Sequence, residues 1–158
     1  MNIFFEEHQK VIAALISHNV QFMLIGGYAV NFHGYSRTTG DMDVWLKPDN
    51  ENKLLLMKAL SALGFQDDGI KEIGSWDFTQ PQLFHILDKP YRTDFLTYVS
   101  GAKYAEAAAE MDIGEFEGMM VPFIHINHLI KSKQSTGRLK DQADIEYLNK
   151  IILLKNKK

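Results

Sequence analysis

The sequence predicts an α+β fold: a mixed β-sheet flanked by helices, with a helical segment at the C-terminal end. Three observations support it. Phe22-Met23-Leu24-Ile25 is an apolar run of strand length, and residues 41–46 alternate polar and apolar side chains until Pro48. Helical spacing brackets that pair, with Val11, Ile12, Leu15 and Ile16 on one stripe before it and a leucine-rich stretch over 54–63 after it. From about residue 123 the pattern is again helical.

The elements follow in order. Residues 5–18 form a helix stopped at Asn19, with His8 and His18 read as surface residues. The first strand, 22–25, ends at Gly26-Gly27, and a short helix over 28–33 ends at Gly34. The second strand follows at 41–46. Asp49 or Asn50 caps a helix running through Leu54, Leu55, Met57, Lys58, Leu60 and Leu63 to Gly64, its leucine stripe facing the core. From Phe65 to Thr97 the helical period fades. Strands are expected around 76–79, 83–87 and 92–97, with turns at Gln80-Pro81 and Lys89-Pro90, while 66–69 and 71–75 read as exposed, mobile loop. An alanine-rich helix over 101–111 precedes a hairpin over 112–121 that turns at Glu117-Gly118. A helix starts in 123–131, a polar run occupies 131–138, and a last helix carries Asp141 and Asp144 near its start, where acids suit the helix dipole. Residues 150–158 read as a frayed basic end.

Composition bounds the function. At 158 residues the chain is expected to be a single domain, 1–158, with its core at about 20–100 and its helical C-terminal part at about 123–155. Lysine and arginine number 17 against 20 acids, and a net charge of −3 argues against a duplex-binding surface. The absence of cysteine excludes disulfides and thiolate metal sites and fits a cytoplasmic setting. The N-terminus lacks a secretory apolar region and no apolar run approaches a membrane span, so no membrane partner is expected.

The candidate chemistry lies at 22–47. Strand alternation puts Asp41 and Asp43 on one face, about 7 Å apart at their Cα atoms. Such an oxygen-rich acidic pair suits Mg²⁺ or Mn²⁺, and a glycine pair opening a helix offers backbone N–H groups to phosphates. Arg37 lies between the two features and can add a bidentate phosphate contact. Asp94 is a lone acid in an apolar and hydroxylated strand. Two readings of it stand open: a pair with Arg92 on the same strand face, or a place beside Asp41 and Asp43 on a neighbouring strand. His125 and His128 share helical spacing, but with no third ligand nearby they read as structural residues rather than a zinc pair.

The order strand, Gly26-Gly27, helix, then Asp41-Met42-Asp43-Val44 resembles the signature of the nucleotidyltransferase superfamily related to DNA polymerase beta. Gly-Gly-Tyr-Ala-Val with Arg-Thr-Thr-Gly-Asp-Met-Asp-Val is most similar to small stand-alone members: the abortive-infection type and the aminoglycoside and lincosamide nucleotidyltransferases. The context Arg92-Thr93-Asp94-Phe95 is similar to the superfamily's third carboxylate strand, and Lys140-Asp141-x-x-Asp144 resembles the final helix of the small members. The resemblance implies a nucleoside triphosphate substrate and a divalent metal. Asp41, Asp43 and Asp94 would be its ligands and the catalytic acids, with Asp94 as general base or metal ligand. It implies nucleotide contacts from Gly26, Gly27, Tyr28, Arg37, Thr39, Lys131 and Lys140, although Thr38 and Thr39 also suit a plain turn.

Two departures stand out. Many members have Gly-Ser where this chain has Gly-Gly. Larger resistance enzymes add a drug-binding domain for which this chain leaves little room. The expected activity is therefore nucleotidyl transfer to a hydroxyl on a protein or RNA partner, in a toxin–antitoxin or phage-defence setting, with the site completed by that partner or by a homodimer. The alternatives are adenylylation of an antibiotic and a nucleotide-binding module without turnover.

Overall fold

The sheet is built outward from the two strands that carry the acidic pair. The computed structural model describes residues 3–35 and 40–156. In chain order these form α1 (Glu6–Ser17), β1 (Phe22–Ile25), α2 (Gly26–Phe32), β2 (Met42–Leu46), α3 (Asn50–Ala62), α4 (Asp67–Gly74), β3 (Leu83–Ile86), β4 (Thr93–Leu96), α5 (Tyr104–Ala109), β5 (Asp112–Phe116), β6 (Met119–Phe123), α6 (Ile126–Gln134) and α7 (Leu139–Asn156). The described strands make one mixed sheet in the order β3-β4-β2-β1-β6-β5. This is the α+β architecture that the sequence predicts.

Register decides what the sheet presents. β1 pairs antiparallel with β2, placing Ile25 opposite Asp43, and β2 pairs parallel with β4, placing Asp43 opposite Asp94. β3 pairs antiparallel with β4, with His85 opposite Asp94. One row across four strands is thus Ile25, Asp43, Asp94 and His85. The alternate residues Met42 and Val44 are fully buried, as the polar–apolar pattern requires. They share a core with Val11, Ile12 and Leu15 of α1 and Leu56, Ala59 and Leu60 of α3.

Local chemistry explains several boundaries. The Asp49 side chain accepts from the Asn52 backbone N–H at 2.7 Å and caps α3. Asn52 is itself buried. Its amide carbonyl accepts from Gln21 N–H at 2.8 Å, and its amino group donates to the carbonyls of Gln21 at 2.9 Å and Lys47 at 3.1 Å. One asparagine therefore ties the entrance of β1 to the exit of β2, with its polar atoms satisfied.

Five expectations need correction. Residues 67–74 form helix α4 rather than loop, because Ile70 and Ile73, one turn apart, bury one face against the core. Residues 76–79 are not a strand: Asn50 Oδ1 accepts from the Phe78 N–H at 2.9 Å, folding that segment onto α3 with Phe78 fully buried. Leu54 is exposed, since the buried face of α3 runs through Asn52, Leu56, Ala59 and Leu60. His8 is a core residue: its Nδ1 lies 2.6 Å from the Tyr28 hydroxyl and its Nε2 3.0 Å from the Tyr91 carbonyl. The C-terminal end is not frayed from 150, because α7 continues to Asn156. Among the described residues no helix is long and apolar enough to cross a membrane.

Candidate active site

A cleft of about 680 Å³ opens above the acidic row. Its floor includes Gly26, Gly27, Asp41, Asp43 and Asp94, and one wall is supplied by Lys133 of α6 with Thr136, Arg138, Lys140 and Asp141. Pro81, Gln82 and Leu83 with Leu96 and Tyr98 complete the lining. β1, β2 and β4 are neighbours in the sheet, which is why residues far apart in sequence share this opening.

Gly26 is held to glycine by both its backbone and its neighbour. Its φ is +68°, in the region that disfavours side chains, and a Cβ there would collide with the Asp43 carboxylate. The bare main chain thus lies directly against the acid. Asp43 is in turn poorly compensated. Burial is the main cause that pushes its carboxyl up to about 7, followed by the charges of Asp94 and Asp41, while Lys140 and Lys133 pull only partly the other way. An acid in that state draws in positive charge.

The ion pair with Arg92 is formed, and of the two other acids Asp94 faces Asp43 across the sheet. It stands in register with Asp43, and it accepts a bond from Arg92 Nε at 3.0 Å, with 15% of its side chain exposed. Among the described residues, no group of three or more His, Asp or Glu side chains converges closely enough to hold a metal ion. The acids form a row along the sheet with one member clamped by an arginine.

The remaining expected residues divide. Lys140 lines the cleft, whereas Lys131 is exposed and lies outside its lining. Tyr28 is buried beneath the site with its hydroxyl against His8 and the Phe5 N–H, so it supports α2 from behind. Arg37 and Thr39 lie outside the described residues. His125 caps α6 by accepting from the Asn127 N–H, and His128 faces Glu110 at 3.6 Å, which gives each histidine separate structural work.

Sequence reasoning missed Lys133. Its ammonium is nearly buried, 3.3 Å from Asp141 Oδ1 and 3.0 Å from Asp144 Oδ2. Arg138 Nε reaches Asp141 Oδ2 at 2.7 Å, and the Thr136 hydroxyl also donates to that oxygen. Burial opposes the charge on Asp141, yet the bonds from Thr136 and Arg138 and the charge of Lys133 hold its carboxyl below the usual value. The two acids therefore orient cations of the cleft wall, a larger role than complementing the α7 dipole. The signal was present: Leu129, Ile130 and Lys133 share the buried face of α6, an uncommon place for a lysine without a partner.

Comparison with solved structures bears on this arrangement. The lincosamide antibiotic adenylyltransferase LnuA, in a lincomycin-bound structure, matches with a TM-score of 0.58 over 96% of this chain and 99% of its own, at 12% identity. The chain has the nucleotidyltransferase fold. The antibiotic-resistance factor ANT(2'')-Ia matches with a TM-score of 0.57 over 94% of this chain and 86% of its own, at 16% identity. At such identities the likeness is one of fold. No protein-family model matches the sequence, and no curated protein matches it.

Proposed function

We propose that this chain is a metal-dependent nucleotidyltransferase, which moves a nucleoside monophosphate from a nucleoside triphosphate to an acceptor hydroxyl and releases pyrophosphate. The observation that carries the reading is Asp43, half-buried, facing Asp94 across the sheet and lying against the bare backbone of Gly26. Asp41 and Asp43, with Asp94 in register beside Asp43, are the residues that would hold Mg²⁺ or Mn²⁺, although as they stand the three do not converge into a formed metal site. When bound, the ion supplies charge neutralisation at phosphate oxygens and on the departing pyrophosphate.

The chain's own groups do the rest. Gly26 and Gly27 leave room for a triphosphate to lie close to the main chain, and Lys140, with Lys133 held rigid by Asp141 and Asp144, offsets its charge. Arg37 would add a phosphate contact. Asp94, steadied by Arg92, takes the proton from the acceptor hydroxyl as its oxygen attacks the α-phosphorus.

The acceptor belongs to one of two settings. A protein or RNA acceptor would suit a toxin–antitoxin or phage-defence enzyme working with a partner or as a homodimer in the cytoplasm. Antibiotic adenylylation is favoured by the two resistance proteins of like fold and matched length. The Arg92–Asp94 ion pair supports a further reading, a nucleotide-binding module without turnover. Pyrophosphate release with each triphosphate and Mg²⁺, measured with lincomycin, an aminoglycoside, RNA or protein present, separates them. Loss of release in Asp41→Asn supports the enzyme. Thermal stabilisation by triphosphate with no release in any mixture would establish the binding module instead.

A further inference from the structure

Strand order sets a direction across the cleft. Gly26 follows β1, Asp43 lies on β2 and Asp94 on β4, in a sheet that runs β4-β2-β1. With the triphosphate of the proposed reaction over Gly26 and its leaving end on the β1 side, in-line attack would bring the acceptor from the side of Asp94, β4 and β3. The wall there is apolar and uncovered: Leu83 is 74% exposed and Tyr98 59% exposed, with Leu96 between them and the acids.

Charge narrows the acceptor further. The described carboxylates of the cleft are Asp41, Asp43, Asp94 and Asp141. Asp94 is bound to Arg92, and Asp141 to Lys133 and Arg138. Asp41 and Asp43 face the phosphates and their cation, which leaves no described carboxylate of the cleft for the ammonium groups of a polyamine. The described cations of the cleft are likewise engaged in those ion pairs except Lys140, whose charge acts on Asp43. Among the described residues of the cleft, an RNA backbone, which needs several phosphate contacts, finds Lys140 as the one cation outside those ion pairs.

We propose that the acceptor is an uncharged, hydroxyl-bearing small molecule with an apolar face, seated on Leu83, Leu96 and Tyr98 beside Asp94. This rests on the nucleotidyl-transfer reading above and goes further by naming the acceptor class. The apolar face packs on the Tyr98 ring and Leu83, while the Gln82 amide, its amino group donating to the Asp77 carbonyl at 3.0 Å, offers its carbonyl oxygen as acceptor for neutral hydroxyls. The reacting hydroxyl oxygen forms a bond to the α-phosphorus, and the bond from that phosphorus to the bridging oxygen breaks. Pyrophosphate carries away the electron pair. The hydroxyl proton passes to Asp94 and then to water.

The test uses the full chain loaded with a non-hydrolysable ATP analogue and Mg²⁺, and measures binding of three probes by calorimetry. These are methylumbelliferyl glucoside (uncharged, with a flat apolar face), kanamycin (a polyamine) and a uridine hexanucleotide. The expected result is that the glucoside binds at least about tenfold more tightly than kanamycin or the RNA. Tyr98→Ala should weaken the glucoside at least about tenfold while the analogue's Kd stays unchanged. Equal or tighter binding of kanamycin or the RNA, or no glucoside binding to protein that holds the analogue, overturns the acceptor class. Weaker analogue binding in Tyr98→Ala overturns it too, by assigning the wall to the nucleobase. Failure of the wild-type chain to bind the analogue at all would instead sink the nucleotidyl-transfer reading.

Discussion

Replacing Asp43 by asparagine should stabilise the metal-free protein, and the gain should grow with pH. The wild-type carboxyl is pushed from 3.8 to about 7, chiefly by burial and then by Asp94 and Asp41. An acid whose folded-state pKa is raised holds its proton in the native chain after the unfolded chain has released its own. Its contribution is therefore complete below 3.8 and is lost as pH climbs through about 7. The separation is worth at most about 4 kcal/mol, reached above that range, and about 1.5 kcal/mol at about pH 5. Asparagine keeps the shape and removes the ionisation. For a chain of this size each kcal/mol moves the midpoint by about 2–4 °C, so melts in EDTA at about pH 8.5 should show Asp43→Asn at least about 5 °C above wild type. Near pH 5 the two should approach each other. Adding Mg²⁺ and a triphosphate should reverse the order, because the charge that strains the empty site is what a cation uses. An Asp43→Asn variant no more stable than wild type at about pH 8.5 would refute the claim that this acid is under-compensated.

Three further outcomes follow from the packing. Lys133→Met leaves Asp141 and Asp144 buried without their ammonium partner, and urea unfolding should show a loss of about 3–5 kcal/mol; adding Asp141→Asn and Asp144→Asn should recover much of it. Gly26→Ala should cost about 1–3 kcal/mol from its positive φ and more from the collision with Asp43, with the second part recovered when Asp43→Ala is added, as a double-mutant cycle would show. Burial is the main cause that lowers the His8 pKa, so the ring stays neutral in the fold; stability should fall as pH drops below about 6.5, and thermal melts of His8→Phe should lack that slope while showing an overall loss of about 1–2 kcal/mol from the two lost bonds, the Tyr28 hydroxyl keeping the Phe5 N–H and the Tyr91 carbonyl keeping the Thr93 hydroxyl.

The legible parts of this protein are those written in local periodicity. The apolar run of β1, the glycine pair and the alternation of β2 lie within one short stretch, so the acid-bearing face could be assigned from residue spacing alone. The hairpin of β5 and β6 was legible for the same reason, its turn residues Glu117 and Gly118 both adopting positive φ. α4 was not, because a helix of 8 residues with two glycines and two buried isoleucines gives a weak periodic signal. His8 was misread because its partners, Tyr28 and Tyr91, lie 20 and 83 residues away.

By itself the sequence determined the chemical inventory: a mixed α+β fold, two acids on one strand face, a side-chain-free bend before them and a third acid in a later strand. Tertiary structure alone decided how those groups meet. The parallel pairing of β2 with β4 set Asp94 against Asp43 across two intervening helices and a strand, and the packing of α6 on α7 buried Lys133 between Asp141 and Asp144. Spacing along a chain encodes which face a side chain takes within its own element. Which elements become neighbours is settled by burying the apolar faces of all of them together, and no single segment carries that information.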